Sequence, residues 1–378
     1  MMPWRLVRQR FGLWVPREKI FPRYEVQKFM SPKDHVLGKT GAPKSEPPKG
    51  NGKSSAAKNS QDKAWLLNVY EEMCYFRRFE ERVLQAYTKQ KFAGFCHVHI
   101  GQEGLCVGVQ RALRPTDYMI TGYRSHTQAI AKGIAGREVF AELFGKATGC
   151  AKGNGGSMHM FSKEKRFLGG HGIVGGQVPL ASGVGFAIKY EKKDDIIVCY
   201  LGDAAVNQGQ FHEALNMAAT WNLPCLFIIE NNRYGMGTDI KRTTSIDHLW
   251  KRALAFDMDH GQVDAMNVVK TYEFVSGVVE NMRKTNRPYL LDAICYRYKG
   301  HSVSDPGLYR SKEEMAQWIA KDPIIQLGEH LKKNKFATDE ELKALDTKGK
   351  ERARADEDWA DEQPPPPEEQ VWQNVYAD

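Results

Sequence analysis

From residue 64 to residue 87 apolar side chains return every three or four positions, at Leu66, Val69, Tyr70, Met73, Phe76, Val83, Leu84 and Tyr87. That period predicts an amphipathic helix at the start of the folded region. Four short runs then break the pattern: "DYMIT" (117–121), "DIIVCYL" (195–201), "CLFIIE" (225–230) and "YLLDAICYR" (289–297). Each is continuously apolar, as strands buried on both faces are. Helical spacing returns between them, in "GQFHEALNMAATWN" (209–222) and "NVVKTYEFVSGVVENMRK" (267–284). The alternation predicts an α/β fold, a mostly parallel sheet with helices on both faces. No internal repeat is visible.

The two ends read differently. Residues 31–63 are rich in Lys, Pro, Gly and Ser and nearly free of apolar side chains. Such a segment cannot bury enough surface to offset its ordering entropy, so disorder is expected. The basic, aromatic residues ahead of it fit a leader poorly, because Glu18, Glu25 and three prolines interrupt them. Translation starting at Met30 is the simpler expectation. The chain is thus divided into a basic tail or leader (1–63), an α/β domain (64–330), and a C-terminal helix with a proline-rich arm (331–378) expected to lie on a partner subunit.

Charge sharpens this division. Of the net +8, residues 1–63 carry 14 Lys/Arg against 5 Asp/Glu, and the remaining 315 carry 40 against 41. The folded part is therefore close to neutral, which argues against a nucleic-acid partner. No apolar run reaches the roughly 18 residues a membrane span needs. The seven cysteines show no Cys-x-x-Cys pair and sit in apolar runs, so they read as buried free thiols.

The candidate chemistry begins with "GGHGIVGG" (169–176), in which Gly170, Gly172 and Gly175 have the spacing of a dinucleotide fingerprint. That motif should follow an apolar strand, and "SKEKRFL" looks too charged and short to be one. The pattern predicts a helix after it, and Asp194 lies about where the acidic ribose ligand would be. NAD is thus disfavoured for want of a strand, and a ligand-free glycine turn stays open.

A stronger pattern lies downstream in "YLGDAAVNQGQFHEALNMAATWNLPCLFIIENNRYGMGT". Two strands end at Gly202-Asp203 and at Asn231-Asn232, on the side of the sheet where such folds bind ligands. Asp203 and Asn232 would meet there as two hard oxygen donors, suited to Mg²⁺ bridging a diphosphate. An alternative of equal standing is that Asp203 merely caps the next helix.

Taken together, these residues resemble the thiamine diphosphate-dependent 2-oxo acid dehydrogenase family, specifically the α subunits of E1 components of the pyruvate type. The resemblance runs from about residue 64 to the C-terminus. It includes "GFCHVHIGQEG" (94–104), "TGYRSH" (121–126), "FGKATGCAKGNGGSMHMF" (144–161), "GGHGIVGGQVP" (169–179) and "YRYKGHSVSDPG" (296–307). It implies that Asp203, Asn232 and the Tyr234 carbonyl hold Mg²⁺. Tyr123 and Arg124 would grip the diphosphate, while the backbones of Gly172, Ala204 and Ala205 approach the cofactor and Val174 sits beneath it. His97 and His301 correspond to active-site histidines, and His301 also borders the cofactor; His126 is a weaker candidate. Ser302 matches a serine phosphorylated in mitochondrial relatives, but "DPGLYR" lacks the additional serine of animal relatives, which points to a bacterial, unphosphorylated enzyme. One position departs from the family pattern: Ala204 stands where Gly is usual. Were φ positive there, the methyl would cost roughly 1 kcal/mol or more.

The resemblance further implies decarboxylation of pyruvate and reductive acetylation of the lipoyl group of E2 dihydrolipoyl acetyltransferase, in an α₂β₂ heterotetramer with an E1 β subunit. The bacterial cytoplasm is the expected compartment, with the mitochondrial matrix as alternative. A branched-chain 2-oxo acid or acetoin as substrate, and a non-catalytic assembly role, are the competing readings.

Overall fold

The computed structural model describes residues 62–373 and 375. The expected basic tail therefore lies, up to residue 61, outside the described residues. Asp62 accepts the Trp65 amide at 2.8 Å and so caps helix α1 (Lys63–Thr88). The predicted apolar face of α1 is buried from Leu66 to Val83, while Leu84 and Tyr87 lie at its margin. Glu80, which no amphipathic pattern would place inside, is fully buried.

After helix α2 (Glu103–Ala112) come strand β1 (Tyr118–Gly122), helices α3 (His126–Ala131) and α4 (Gly136–Leu143), and strand β2 (Phe167–His171). Then follow α5 (Gln177–Tyr190), β3 (Ile197–Gly202), α6 (Gly209–Thr220) and β4 (Cys225–Asn231). A two-stranded antiparallel ribbon, β5 (Tyr234–Gly235) and β6 (Thr238–Asp239), precedes β7 (Asp259–Asp264), α7 (Val268–Thr285) and β8 (Tyr289–Ile294). Helices α8 (Lys312–Ile319), α9 (Pro323–Lys333) and α10 (Asp339–Asp361) follow, and then a short 3-10 helix (Glu368–Trp372).

Six strands form one parallel sheet in the order β2-β1-β3-β4-β8-β7. Its four interior strands are the four apolar runs. Along β3, Val198 and Tyr200 face the layer of α1, α2 and α7, whereas Ile197, Cys199 and Leu201 face that of α5 and α6. Burial on both faces removes the alternation a half-exposed strand would show.

Both edge strands escape the sequence. β2 is "FLGGH" and β7 is "DHGQVD", of which only Gly261 and Val263 are buried. Pairing to one neighbour creates these strands, with no apolar run of their own. The expectation that no strand precedes the glycine pattern is therefore wrong: Gly169 and Gly170 lie within β2 itself.

β1 is flanked by β2 on one side and β3 on the other, so the direction of winding reverses between β1 and β3. The crevice beyond such a reversal is where open α/β sheets bind ligands. At the other end of the chain, α10 lies along α1. It opens with a reciprocal cap between Thr338 and Glu341. Arg78 holds Asp346 through two bonds of 2.8 and 2.7 Å, and Tyr75 donates to Asp356 at 2.6 Å. The proline-rich arm crosses the loop after α4, where Ala147 donates to Pro364 O at 3.0 Å and Gln370 to Lys152 O at 2.9 Å. Val371 and Trp372 stay exposed.

All seven cysteines are free and six are buried. Among the described residues no helix is long and apolar enough to cross a membrane.

Candidate active site

The candidates that the resemblance implies lie at or beside the C-terminal edge of the sheet. Gly172 and Val174 follow β2, Tyr123 and Arg124 follow β1, Asp203 to Ala205 follow β3, and Asn232 and Tyr234 follow β4. His301 stands in the loop after β8, and His97 in the loop between α1 and α2.

Register places Gly202 opposite Glu230, so Asp203 and Asn232 emerge from neighbouring strand ends. Both are buried, and Asp203 Oδ2 and Asn232 Oδ1 have no hydrogen-bond partner. The amide of Asn232 is oriented by Gln102, whose Oε1 accepts its Nδ2–H at 3.1 Å, which leaves the oxygen unused. An unsatisfied buried oxygen costs about 1–3 kcal/mol, and these two stand at the ends of adjacent strands. Burial pushes the Asp203 carboxyl up to about 7; a cation would draw it back down. The pair can hold a hard divalent cation. Among the described residues no three His, Cys, Asp or Glu side chains gather as a metal site. A cation would therefore depend on one carboxylate, one amide, and oxygens from the backbone or a ligand. Asp203 does not serve as a side-chain cap for α6, whose N-cap residue is Gln208.

The second feature is a cluster of three rings. His97 lies 4.4 Å from Tyr123 and 5.1 Å from His301 between ring centroids, and Tyr123 lies 5.5 Å from His301. Arg124, 6% exposed, donates to Val98 O and, at 2.9 Å, to His301 O. It thereby ties together the two loops that carry the histidines. Burial, and secondly the Arg124 charge, lower His97 to about 3 and His301 to about 4. Both imidazoles are thereby held neutral at pH 7, and His97 Nδ1 is buried without a hydrogen-bond partner.

Ala204 adopts φ −79° and ψ −24°. The methyl therefore causes no backbone strain. Its space is taken instead from Gly235, where an added Cβ would stand 2.4 Å from the Ala204 Cβ. The turn after β2 needs Gly175, with φ +79°. Ile173 and Val174 project from this turn, 76% and 42% exposed.

The dinucleotide reading fails for a reason other than a missing strand. Asp194 precedes β3 and so lies at the opposite edge of the sheet from the glycines. There it pairs with Arg114 at 2.5 Å, and its carbonyl accepts from Arg283. It cannot reach a ribose bound over Gly172.

The weaker candidate, His126, has both ring nitrogens engaged, by Glu80 at 2.9 Å and Ser157 at 2.8 Å. It belongs to a buried polar network that the sequence does not announce. Glu80 also accepts the His99 amide at 2.9 Å, and Glu230 bonds His99 Nε2 and Gln128, each at 3.0 Å. These contacts fix the loop bearing His97 from below. Further on, Glu142 accepts the backbone amides of Ala151, Gly153, Gly155 and Gly156 at 2.6–3.1 Å. The glycine-rich loop before Ser157 is thus folded around one carboxylate. Glu80 and Glu142 lie outside every motif, and nothing in the sequence marks them as buried.

Residues 71–369 match the model of the family described as "dehydrogenase E1 component". Among curated proteins, the chain is 42% identical over 311 residues to the pyruvate dehydrogenase E1 component subunit alpha of Rickettsia typhi, covering 82% of this chain and 95% of that one. It is 44% identical over 310 residues to the same subunit of Rhizobium meliloti, covering 82% and 89%. To the mitochondrial subunit of Sminthopsis macroura it is 43% identical over 314 residues, covering 82% and 85%.

Proposed function

Because the chain belongs to the dehydrogenase E1 component family, we propose that it is the α subunit of a pyruvate dehydrogenase E1. In this role it takes part in thiamine diphosphate-dependent decarboxylation of pyruvate and in reductive acetylation of the lipoyl group of E2. The relatives' shared name supports this reading. One observation in the site supports it too: the buried, unpartnered oxygens of Asp203 and Asn232 beside the point where the winding reverses.

Mg²⁺ would be held by Asp203, Asn232 and the Tyr234 carbonyl. Tyr123 and Arg124 would face the diphosphate, with the backbones of Gly172, Ala204 and Ala205 close by and Val174 beneath the cofactor. Thiamine diphosphate, when bound, supplies the electron sink for loss of CO₂. The chain's own residues bind and orient. His97 and His301, neutral and backed by the Arg124 charge, can direct the substrate carboxylate through their ring nitrogens. An anion placed beside them would raise their proton affinity and allow transfer at the same atoms. Arg124 keeps the two histidine loops in register through the Val98 and His301 carbonyls.

An E1 β subunit would complete the site in an α₂β₂ heterotetramer, and a lipoyl-bearing E2 would accept the acetyl group. Exposed Ile173 and Val174 at the crevice offer apolar surface to such a neighbour. Bacterial relatives favour the cytoplasm, with the mitochondrial matrix as alternative. Ser302, whose hydroxyl bonds Ser304 at 2.9 Å, is the candidate regulatory residue.

The deciding experiment is reduction of an artificial electron acceptor by this chain co-expressed with its β partner. Pyruvate, a branched-chain 2-oxo acid and acetoin are compared, with and without thiamine diphosphate and Mg²⁺. Activity on pyruvate that disappears in Asp203→Ala is expected. Preference for another substrate would reassign it, and silence on all of them from a folded complex would favour an assembly role.

A further inference from the structure

Helix α8 contributes a carboxylate that none of the sequence motifs explains. Glu314 accepts two phenols: Tyr234 Oη at 2.7 Å through Oε2, and Tyr296 Oη at 3.0 Å through Oε1. These tyrosines lie just beyond β4 and β8, which are paired neighbours. One turn along α8, Trp318 stacks flat on Tyr296 with centroids 5.0 Å apart and planes at 5°. The Arg233 guanidinium lies 6.0 Å over the same indole. Thus α8 grips the exits of two strands, and one of them carries Asn232.

The backbone there is tightly turned. The Asn232 amide donates to Glu230 O at 3.0 Å, and Arg233 has φ +72°. A non-glycine residue in the left-handed region persists only where its surroundings hold it. Asn232 is held on one side by Gln102. On the other, Tyr234 is anchored at the far end of its ring by Glu314 and packs 5.3 Å from Tyr309.

We infer that Glu314 is a positioning residue for the cation site: by holding Tyr234 and Tyr296 with one carboxylate, it fixes the turn Asn232–Arg233–Tyr234 and so the direction of the oxygens that turn presents. The inference rests on the reading of Asp203 and Asn232 as a cation site. Outer partners of this kind change metal affinity by about 10–100-fold when removed.

The test is Mn²⁺ binding, followed by the loss of the free-ion paramagnetic resonance signal, to the full chain with its β partner in the presence of thiamine diphosphate. Glu314→Ala and Tyr234→Phe should each weaken Mn²⁺ about tenfold or more, and the double variant no more than the worse single one, because both break the same contact. Glu314→Gln, which can still accept one phenol, should recover part of the affinity. Lys312→Ala, on the same helix, should bind as wild type does. Wild-type affinity in a folded Glu314→Ala, or additive losses in the double variant, would overturn the inference. If Glu314→Ala does not fold, Glu314→Gln and Tyr234→Phe decide in the same way. Absence of binding by wild type, or undiminished binding by Asp203→Ala, would instead remove the cation site itself.

Discussion

His97 and His301 meet edge to face, 5.1 Å apart with their planes at 80°. They come from loops far apart in the chain, one before β1 and one after β8. Arg124 bonds the carbonyl of the residue after the first and of the second itself, so one buried guanidinium sets the spacing of both rings.

Burial of both rings, and next the Arg124 charge, makes the ligand-free protein sensitive to acid. Unfolded histidine titrates near 6.5, whereas the native pair titrates at about 3 and about 4. As pH falls, the unfolded chain takes up protons first, so the contribution of these groups is intact above 6.5 and is lost progressively below it. The loss by pH 4 is on the order of a few kcal/mol, less for His301 because solvent reaches it. Urea unfolding between pH 7.5 and 4.5 should show this slope, and His97→Asn with His301→Asn should flatten it. An unchanged slope in the double variant would assign the acid sensitivity elsewhere.

Glu80 should matter more to stability than a carboxylate on a surface helix would. Replacing it by Ala leaves His126 Nδ1 and the His99 amide without partners inside the protein. A loss of about 2–4 kcal/mol is expected, with Glu80→Gln losing less. Chemical denaturation of the three proteins measures this directly; equal stability would mean that water replaces the carboxylate.

Ala204 and Gly235 form a pair whose sizes are linked. Gly235→Ala alone drives two methyl groups to 2.4 Å and should destabilise the fold by about 1–3 kcal/mol. Adding Ala204→Gly removes the clash, so the double variant should regain most of that loss. Strictly additive effects in the thermal midpoints would show that the two residues do not compete for space.

The His301 loop should report ligand binding. Its tip, Leu308, is 87% exposed, while Arg310 returns the chain to the body through the carbonyls of Arg297 and Lys299. Filling the crevice against His301 should hold this loop further. Trypsin should therefore cut near Arg310 more slowly when thiamine diphosphate and Mg²⁺ are present. Identical cleavage rates would separate the loop from the site.

The sequence by itself determined the interior of this protein. Strands β1, β3, β4 and β8 are legible because burial on both faces demands continuous apolar residues, and that demand is local. Asp203 and Asn232 are legible for a related reason: each stands at the end of such a strand. Tertiary structure alone decided the rest. The edge strands β2 and β7 exist by pairing with a neighbour, so "FLGGH" and "DHGQVD" show no strand pattern of their own. Glu80, Glu142 and Glu314 read as surface carboxylates, since their partners lie far away in sequence. Whether Ala204 is strained depends on φ, which no residue name reveals. The meeting of His97, Tyr123 and His301 depends on where three loops end above one sheet, and only the packed fold sets that distance.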